Sequence, residues 1–109
     1  MKGKDTPIQI LDNKFVGRGE VKGFIFRKIK STELASIYEV DSNTSRVHYE
    51  VFRNKLAPVC IDYKRWVYSK TELKQIYPKA KDFGDWAWTY YSLVKAMRKF
   101  KMLNDDNPK

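Results

Sequence analysis

The chain has 109 residues, of which 42% are hydrophobic and 15% aromatic, and 22 Lys and Arg against 13 Asp and Glu give a formal net charge of +9. That apolar content is enough for the core of one domain and excludes an intrinsically disordered protein. Cys60 is the sole cysteine, which excludes an intrachain disulfide framework and a zinc site built from cysteines. The N-terminal residues lack the apolar run of a signal peptide, and no run approaches the length of a membrane span. We therefore expect a soluble cytoplasmic protein without a membrane partner.

The N-terminal residues predict a flexible arm that leads into a strand. Residues 1–14 mix charged residues, Gly and Pro without a period, although residues 8–11 would suit an edge strand. After the glycines Gly17 and Gly19, residues 21–29 are apolar on both faces near their centre. This pattern predicts a central strand.

A hairpin is predicted next. Residues 34–41 and 46–53 flank the four-residue turn cluster at residues 42–45. Folded about that loop, Val40 faces Val47 on a mostly apolar side, and Glu39 faces His48 on a charged side. The alternation predicts one buried face and one solvent-exposed face.

The following segment supports two interpretations. Residues 59–68 alternate as a strand does, and Ser69 with Glu72 has the form of a capping box. Apolar residues then follow at helical spacing, which predicts a short helix that ends before Pro78. A continued strand is the alternative.

The last part of the chain predicts a strand that runs directly into a helix. Trp86, Trp88 and Tyr90 alternate with smaller or polar residues, and Ser92 suits an N-cap. Residues 92–103 place their apolar side chains on one helical face, which predicts an amphipathic helix packed on the sheet. The predicted fold class is α+β: a single small domain over residues 15–103, with an antiparallel meander of about five strands and a packed C-terminal amphipathic helix. We expect residues 104–109 to fray.

The residue types of known catalytic and metal sites are sparse. His48 is the sole histidine, and its predicted place opposite Glu39 makes a surface ion pair a better interpretation than a dyad with Cys60. No HExxH, CxxC or EF-hand spacing is present. We predict a protein that is not an enzyme and that uses no metal and no cofactor.

The positive charge instead predicts a nucleic-acid partner. Residues 15–103 hold 18 basic and nine acidic residues, so the predicted domain itself carries the excess. Basic residues alternate with aromatic ones, as in a surface that neutralises phosphates and stacks on bases. The predicted nucleic-acid-binding residues are Lys64, Arg65, Trp66, Lys70, Lys79, Lys81, Trp86, Trp88, Lys95, Arg98 and Lys99.

The aromatic strand at residues 86–90 has a competing interpretation. A strand that leads into a helix turns one face toward that helix, and three large rings on this face suit a core. Rings on the open face would serve as a stacking platform. The sequence favours the core and leaves the platform open.

The stretch DFGDWAWTYYSLVKAMRKF, residues 82–100, resembles a motif in small proteins of Bacteroides-type bacteria and their phages. In that motif an FG-x-W-A-W segment runs into a short helix. The resemblance covers about twenty residues and implies a phage or mobile-element setting, with no activity, cofactor or catalytic residues.

Two functions follow as expectations. The first is a small basic binding protein that contacts the backbone of DNA or RNA with weak sequence selectivity. The alternative is a protein-binding module, such as a phage or mobile-element regulator or inhibitor, or a minor structural component. In that case the basic face would meet an acidic protein surface.

Overall fold

The fold was analysed in a computed structural model that describes residues 8–44, 46–62 and 64–105. Predictions for residues 1–7 and 106–109 lie outside the described residues. The elements, in chain order, are β1 (Ile8–Gln9), β2 (Lys14–Val16), a 3-10 turn (Gly19–Val21), β3 (Ile25–Ser31), β4 (Ala35–Asp41), β5 (Val47–Arg53), β6 (Leu56–Asp62), β7 (Val67–Gln75), a second 3-10 turn (Ala80–Asp82), β8 (Ala87–Tyr90) and the helix α1 (Leu93–Asp105).

The strands form two sheets, and the fold class is α+β, as predicted. One sheet has five antiparallel strands in the order β2-β3-β4-β5-β8, and the other has three strands in the order β1-β7-β6. The strands of the five-stranded sheet follow one another in chain order, which confirms the meander. The one exception is that β6 and β7 come between β5 and β8 in the chain, although β5 and β8 are neighbours in the sheet. The three-stranded sheet was not predicted. Its β1 pairs parallel with β7 and supplies the edge strand expected near residue 8.

Contacts divide the described chain into two compact units. The first unit comprises Met1–Leu11 and Lys55–Tyr77, and the second comprises Asp12–Asn54 and Pro78–Lys109. The first therefore holds the three-stranded sheet, and the second holds the five-stranded sheet and α1.

The β4–β5 hairpin forms, but its predicted register is wrong by one residue. Asp41 rather than Val40 lies opposite Val47, and Val40 lies opposite His48. The turn is longer by one residue. Within it Asn43 has a left-handed φ of 66°, and its N–H donates to Asp41 Oδ1 at 2.9 Å. A slip of one residue transfers every side chain of one strand to the opposite face relative to its partner.

The corrected register changes the partners of the charged side chains. Glu39 lies opposite Arg27 of β3, and their carboxylate and guanidinium are 3.4 Å apart. His48 Nε2 lies 2.9 Å from Glu50 Oε2 on its own strand. The predicted solvent-exposed face is also wrong, since β4 is a central strand whose residues Ala35, Ser36, Ile37, Tyr38 and Val40 are buried on both sides of the sheet.

The predicted strand at residues 59–68 and helix after Ser69 are replaced by the hairpin of β6 and β7. Ser69 Oγ does accept from Glu72 N–H at 2.8 Å, but it does so within β7. The continued strand was therefore the correct alternative for residues 69–75. Residues 67–68 and 73–75 pair with β6, and in the irregular stretch between them the N–H groups of Thr71 and Glu72 donate to Ser69 Oγ. Pro58 is tolerated within β6 because β6 is an edge strand of its sheet.

The helix packs on one face of the five-stranded sheet and closes a core there. Ser92 Oγ accepts from Lys95 N–H at 3.3 Å, as an N-cap does. The buried residues of this core are Ala35, Ile37, Val51, Ala96, Phe100 and Leu103, and Tyr49, Trp88, Tyr90 and Met97 pack against it. The core interpretation is therefore correct for Trp88 and Tyr90.

A row of aromatic rings lies on the opposite face of the same sheet. Phe15 stacks on Phe26 at 4.8 Å between centroids, and Tyr38 stacks on Phe52 at 5.9 Å. Trp86 ends the row, with its ring perpendicular to that of Phe52 and the two centroids 6.3 Å apart. Trp86 therefore packs on the face away from α1, and not beside Trp88 in the core under the helix as predicted. These contacts make the sheet apolar on both sides at its centre.

Tyr38 is the polar member of this row. Its hydroxyl donates to the backbone carbonyl of Asp12 at 2.8 Å, which satisfies the group in an otherwise apolar setting. Burial, and secondarily the charge of Asp12, raises the pKa of Tyr38 well above its ordinary value.

Candidate nucleic-acid interface

The outward face of α1 carries the cations that the sequence singled out. Ala96, Phe100 and Leu103 are buried against the sheet, so the residues between them face away from it. Lys95 and Arg98 are exposed, and Lys99 is half-buried. Lys101 adds a fourth cation to the helix.

Three of these helix cations meet an arginine from the sheet. Arg53, the last residue of β5, lines a cleft of about 700 Å³ together with Arg98, Lys99 and Lys101. Asp105 is the one carboxylate among the described residues that line it. We call this the cationic cleft. Four cations around one opening make a strongly positive local potential that favours a polyanion.

The sequence interpretation missed Arg53. Arg53 lies 45 or more positions before the helix cations of the cleft, and it joins them because β5 pairs with β8 and α1 packs on β5. Its backbone N–H donates to Trp86 O at 3.0 Å, which fixes the end of β5 beside the start of β8. No local pattern in the sequence indicates this juxtaposition.

Trp88 and Trp86 are placed where a base has little access to them. The Trp88 ring is half-buried, and Lys99 Nζ lies 3.9 Å from its centroid, a cation–π contact that covers the ring face. Trp86 is only 6% exposed. Their rings stabilise the sheet, and Trp88 positions Lys99 at the cleft.

The segment with Lys79 and Lys81 is a turn built around Asp82. Asp82 Oδ2 accepts from Lys79 N–H at 2.8 Å, and Lys81 Nζ donates to Asp82 Oδ1 at 2.9 Å. The backbone hydrogen bond from Lys79 is the largest cause that lowers the pKa of Asp82 below its ordinary value, and the side-chain hydrogen bond from Lys81 is the next. A hydrogen bond from the Trp86 side chain lowers this pKa further. Lys81 therefore faces a carboxylate and offers less charge to a phosphate than an isolated lysine.

The remaining predicted residues belong to the first unit. Lys64, Arg65 and Trp66 form the turn between β6 and β7, and Lys70 is exposed on β7. Asp62 Oδ1 accepts from Lys64 N–H at 3.0 Å and orders the turn. Trp66 has a left-handed φ of 55°, and its side chain is 69% exposed at the tip of the hairpin. Of the three tryptophans, Trp66 is the one whose ring is open to a ligand.

His48 and Cys60 are the two residues that a Cys–His dyad would require. His48 contacts Glu50, and its ring centroid lies 5.9 Å from that of Tyr91. Cys60 is a free thiol, half-buried on β6. Over residues 8–44, 46–62 and 64–105, no three or more His, Cys, Asp or Glu side chains gather as a metal site would require.

No family model matches this chain, and neither a curated protein nor a solved structure shows significant similarity to it. The resemblance at residues 82–100 therefore stays a prediction. Within the described ranges, no helix combines the length and the apolarity that a membrane span needs.

Proposed function

We propose that this chain is a non-enzymatic binding protein that contacts the phosphate backbone of DNA or RNA with weak sequence selectivity. The cationic cleft is the observation that carries this proposal, because Arg53, Arg98, Lys99 and Lys101 converge there around one carboxylate. Cations grouped at one opening meet neighbouring phosphates of the same strand and release condensed counterions. The contacts are to the backbone, which is common to all sequences, so the proposed selectivity is weak.

The β6–β7 turn is proposed as a second contact. Trp66 is exposed and directly follows Lys64 and Arg65, and stacking on an unpaired base contributes about 1–3 kcal/mol. A duplex offers no unpaired bases, so this contact favours single strands. We place the interaction in the cytoplasm of a bacterial or phage-infected cell, the setting that the resemblance at residues 82–100 implies.

The test is a titration with fluorescein-labelled single-stranded and double-stranded oligonucleotides of mixed sequence at about 50 and 200 mM salt. We expect affinity to fall by about two orders of magnitude between these salt concentrations for four phosphate contacts. We also expect the single strand, but not the duplex, to quench the fluorescence of Trp66. Absence of binding at the lower salt would refute the proposal, since a cleft suited to phosphates should bind there.

A protein-binding module is the second candidate, and a regulator encoded by a phage or mobile element is one form that it would take. The favouring observation is a second depression on α1, whose floor is apolar and whose rim is basic. A bound nucleic-acid backbone would leave the apolar floor of this depression without an apolar partner, whereas apolar side chains of a protein could contact it.

A further inference from the structure

The second depression, which we call the apolar groove, lies between α1 and the end of β3. It has a volume of about 700 Å³. Leu93, Val94 and Met97 contribute apolar side chains from the first turns of α1, and Phe100 lies at the base. At the far end of the groove, Thr32 hydrogen-bonds to Asn104 and joins the β3–β4 turn to the last turn of the helix.

The apolar surface of α1 is wider than the sheet can cover. Ala96, Phe100 and Leu103 are buried in the core, whereas Leu93 and Val94 are 43% and 62% exposed. Exposure of two neighbouring aliphatic side chains to water beside a concave surface is unfavourable. A ligand that places its own apolar side chains there would remove this area from solvent.

The charges around the groove all have one sign. Lys30, Arg98 and Lys101 line it, and no described residue that lines it is acidic. Lys30 Nζ lies 6.0 Å from the Phe100 ring centroid, which places its charge above the apolar floor. An occupant therefore needs apolar groups for the floor and negative groups for the rim.

We propose that the apolar groove binds an acidic amphipathic peptide segment of a partner protein. Apolar side chains of the segment contact Leu93, Val94 and Met97, and its carboxylates lie beside Lys30, Arg98 and Lys101. This is the helix-in-groove type of recognition, in which regularly spaced apolar anchors determine register and charges determine the choice of partner. The groove shares Arg98 and Lys101 with the cationic cleft, but the two sites can be told apart, because Arg53 and Lys99 line only the cleft and the floor residues line only the groove.

The test uses three labelled synthetic peptides of about 16 residues at about 100 mM salt. The first has leucines on one helical face and glutamates on the other, the second is a scrambled sequence of the same composition, and the third replaces each glutamate with lysine. We expect saturable binding of the first peptide alone, measured by fluorescence anisotropy. Equal binding of the scrambled or lysine peptide, or binding of none, would overturn the proposal.

Two sets of variants locate the contact. Leu93→Gln/Val94→Gln removes the exposed floor without changing charge, and glutamine is a better helix former than valine. We expect it to weaken binding of the acidic peptide by about tenfold or more and to leave oligonucleotide binding unchanged. Arg53→Gln/Lys99→Gln should weaken oligonucleotide binding and leave binding of the acidic peptide unchanged. Val94→Gln alone provides a second variant in case the double substitution lowers the melting temperature.

Other occupants would give different results. If a second copy of the chain filled the groove, sedimentation would show a dimer that Leu93→Gln/Val94→Gln dissociates. If an oligonucleotide filled it, the same variant would weaken oligonucleotide binding. Each of these results contradicts the acidic peptide as the occupant.

Discussion

Removal of two cations from the cationic cleft should change the salt dependence of nucleic-acid binding by a defined amount. The perturbation is Arg53→Gln/Lys99→Gln, which leaves Arg98 and Lys101 in the cleft. If each of the four cations neutralises one phosphate of a duplex, the slope of log K against log salt is about −3.6, and it falls to about −1.8 in the variant. At about 0.1 M salt the lost counterion release alone corresponds to roughly 60-fold weaker binding.

The matched control is Arg18→Gln/Lys22→Gln. It also removes one arginine and one lysine, both exposed, from the segment before β3 rather than from the cleft. Anisotropy titrations at four salt concentrations give the slopes of the three proteins, and thermal melting checks that each one is folded. If the control lowers the slope as much as the cleft variant does, overall charge and not the cleft drives binding, and the reasoning fails.

Three further predictions concern single residues. Trp66→Gly places glycine at an exposed position with a left-handed φ, so the free energy of unfolding should stay the same or rise by up to about 1 kcal/mol. The variant should bind single strands more weakly, by about 1–3 kcal/mol, and should bind duplexes as wild type does. A clear loss of stability would contradict this prediction. Tyr38→Phe removes the hydrogen bond to the Asp12 carbonyl and should lower the free energy of unfolding in urea by about 1–2 kcal/mol. Because the folded state raises the pKa of Tyr38 above its ordinary value of 10.0, wild-type stability should decline as pH rises above about 10, and this decline should be shallower in the Tyr38→Phe variant. Asp82 has a lowered pKa in the folded state, so it contributes stability that is present above about pH 4 and lost as pH falls further. Asp82→Asn should therefore make the free energy of unfolding depend less on pH in this acid range. An unchanged dependence would show that the hydrogen bonds from Lys79, Lys81 and Trp86 to Asp82 do not stabilise the fold.

Local signals in the sequence were sufficient for the C-terminal helix. Ser92 supplies the cap, and the spacing of Ala96, Phe100 and Leu103 defines the buried side, so α1 lies where the pattern placed it. Both are interactions within about one or two turns of the same helix. The α+β class follows from this helix and the meander before it.

The errors arise where distant residues decide the structure. Ser69 makes the same hydrogen bonds to following N–H groups in β7 as it would at a helix start, so its sequence context does not distinguish the two. Pairing with β6 on either side, at residues 67–68 and 73–75, decides for the strand. In the same way, the residue types of the turn cluster at residues 42–45 do not reveal that Asp41 rather than Val40 lies opposite Val47. The sequence identified Arg98 and Lys99, two of the helix cations of the cationic cleft, but could not indicate that Arg53 completes the cleft and that Lys95 lies outside its lining.

The position of α1 has a consequence for how the chain is synthesised. Ile37 and Val51 lie in strands that leave the ribosome early, whereas the residues that cover them, Ala96, Phe100 and Leu103, follow some 45 to 66 positions later. Until that helix emerges, one face of the β4–β5 hairpin stays open to water and to other chains. A ribosome that stalls before residue 93 would thus hold a hairpin with one apolar face exposed and prone to aggregation.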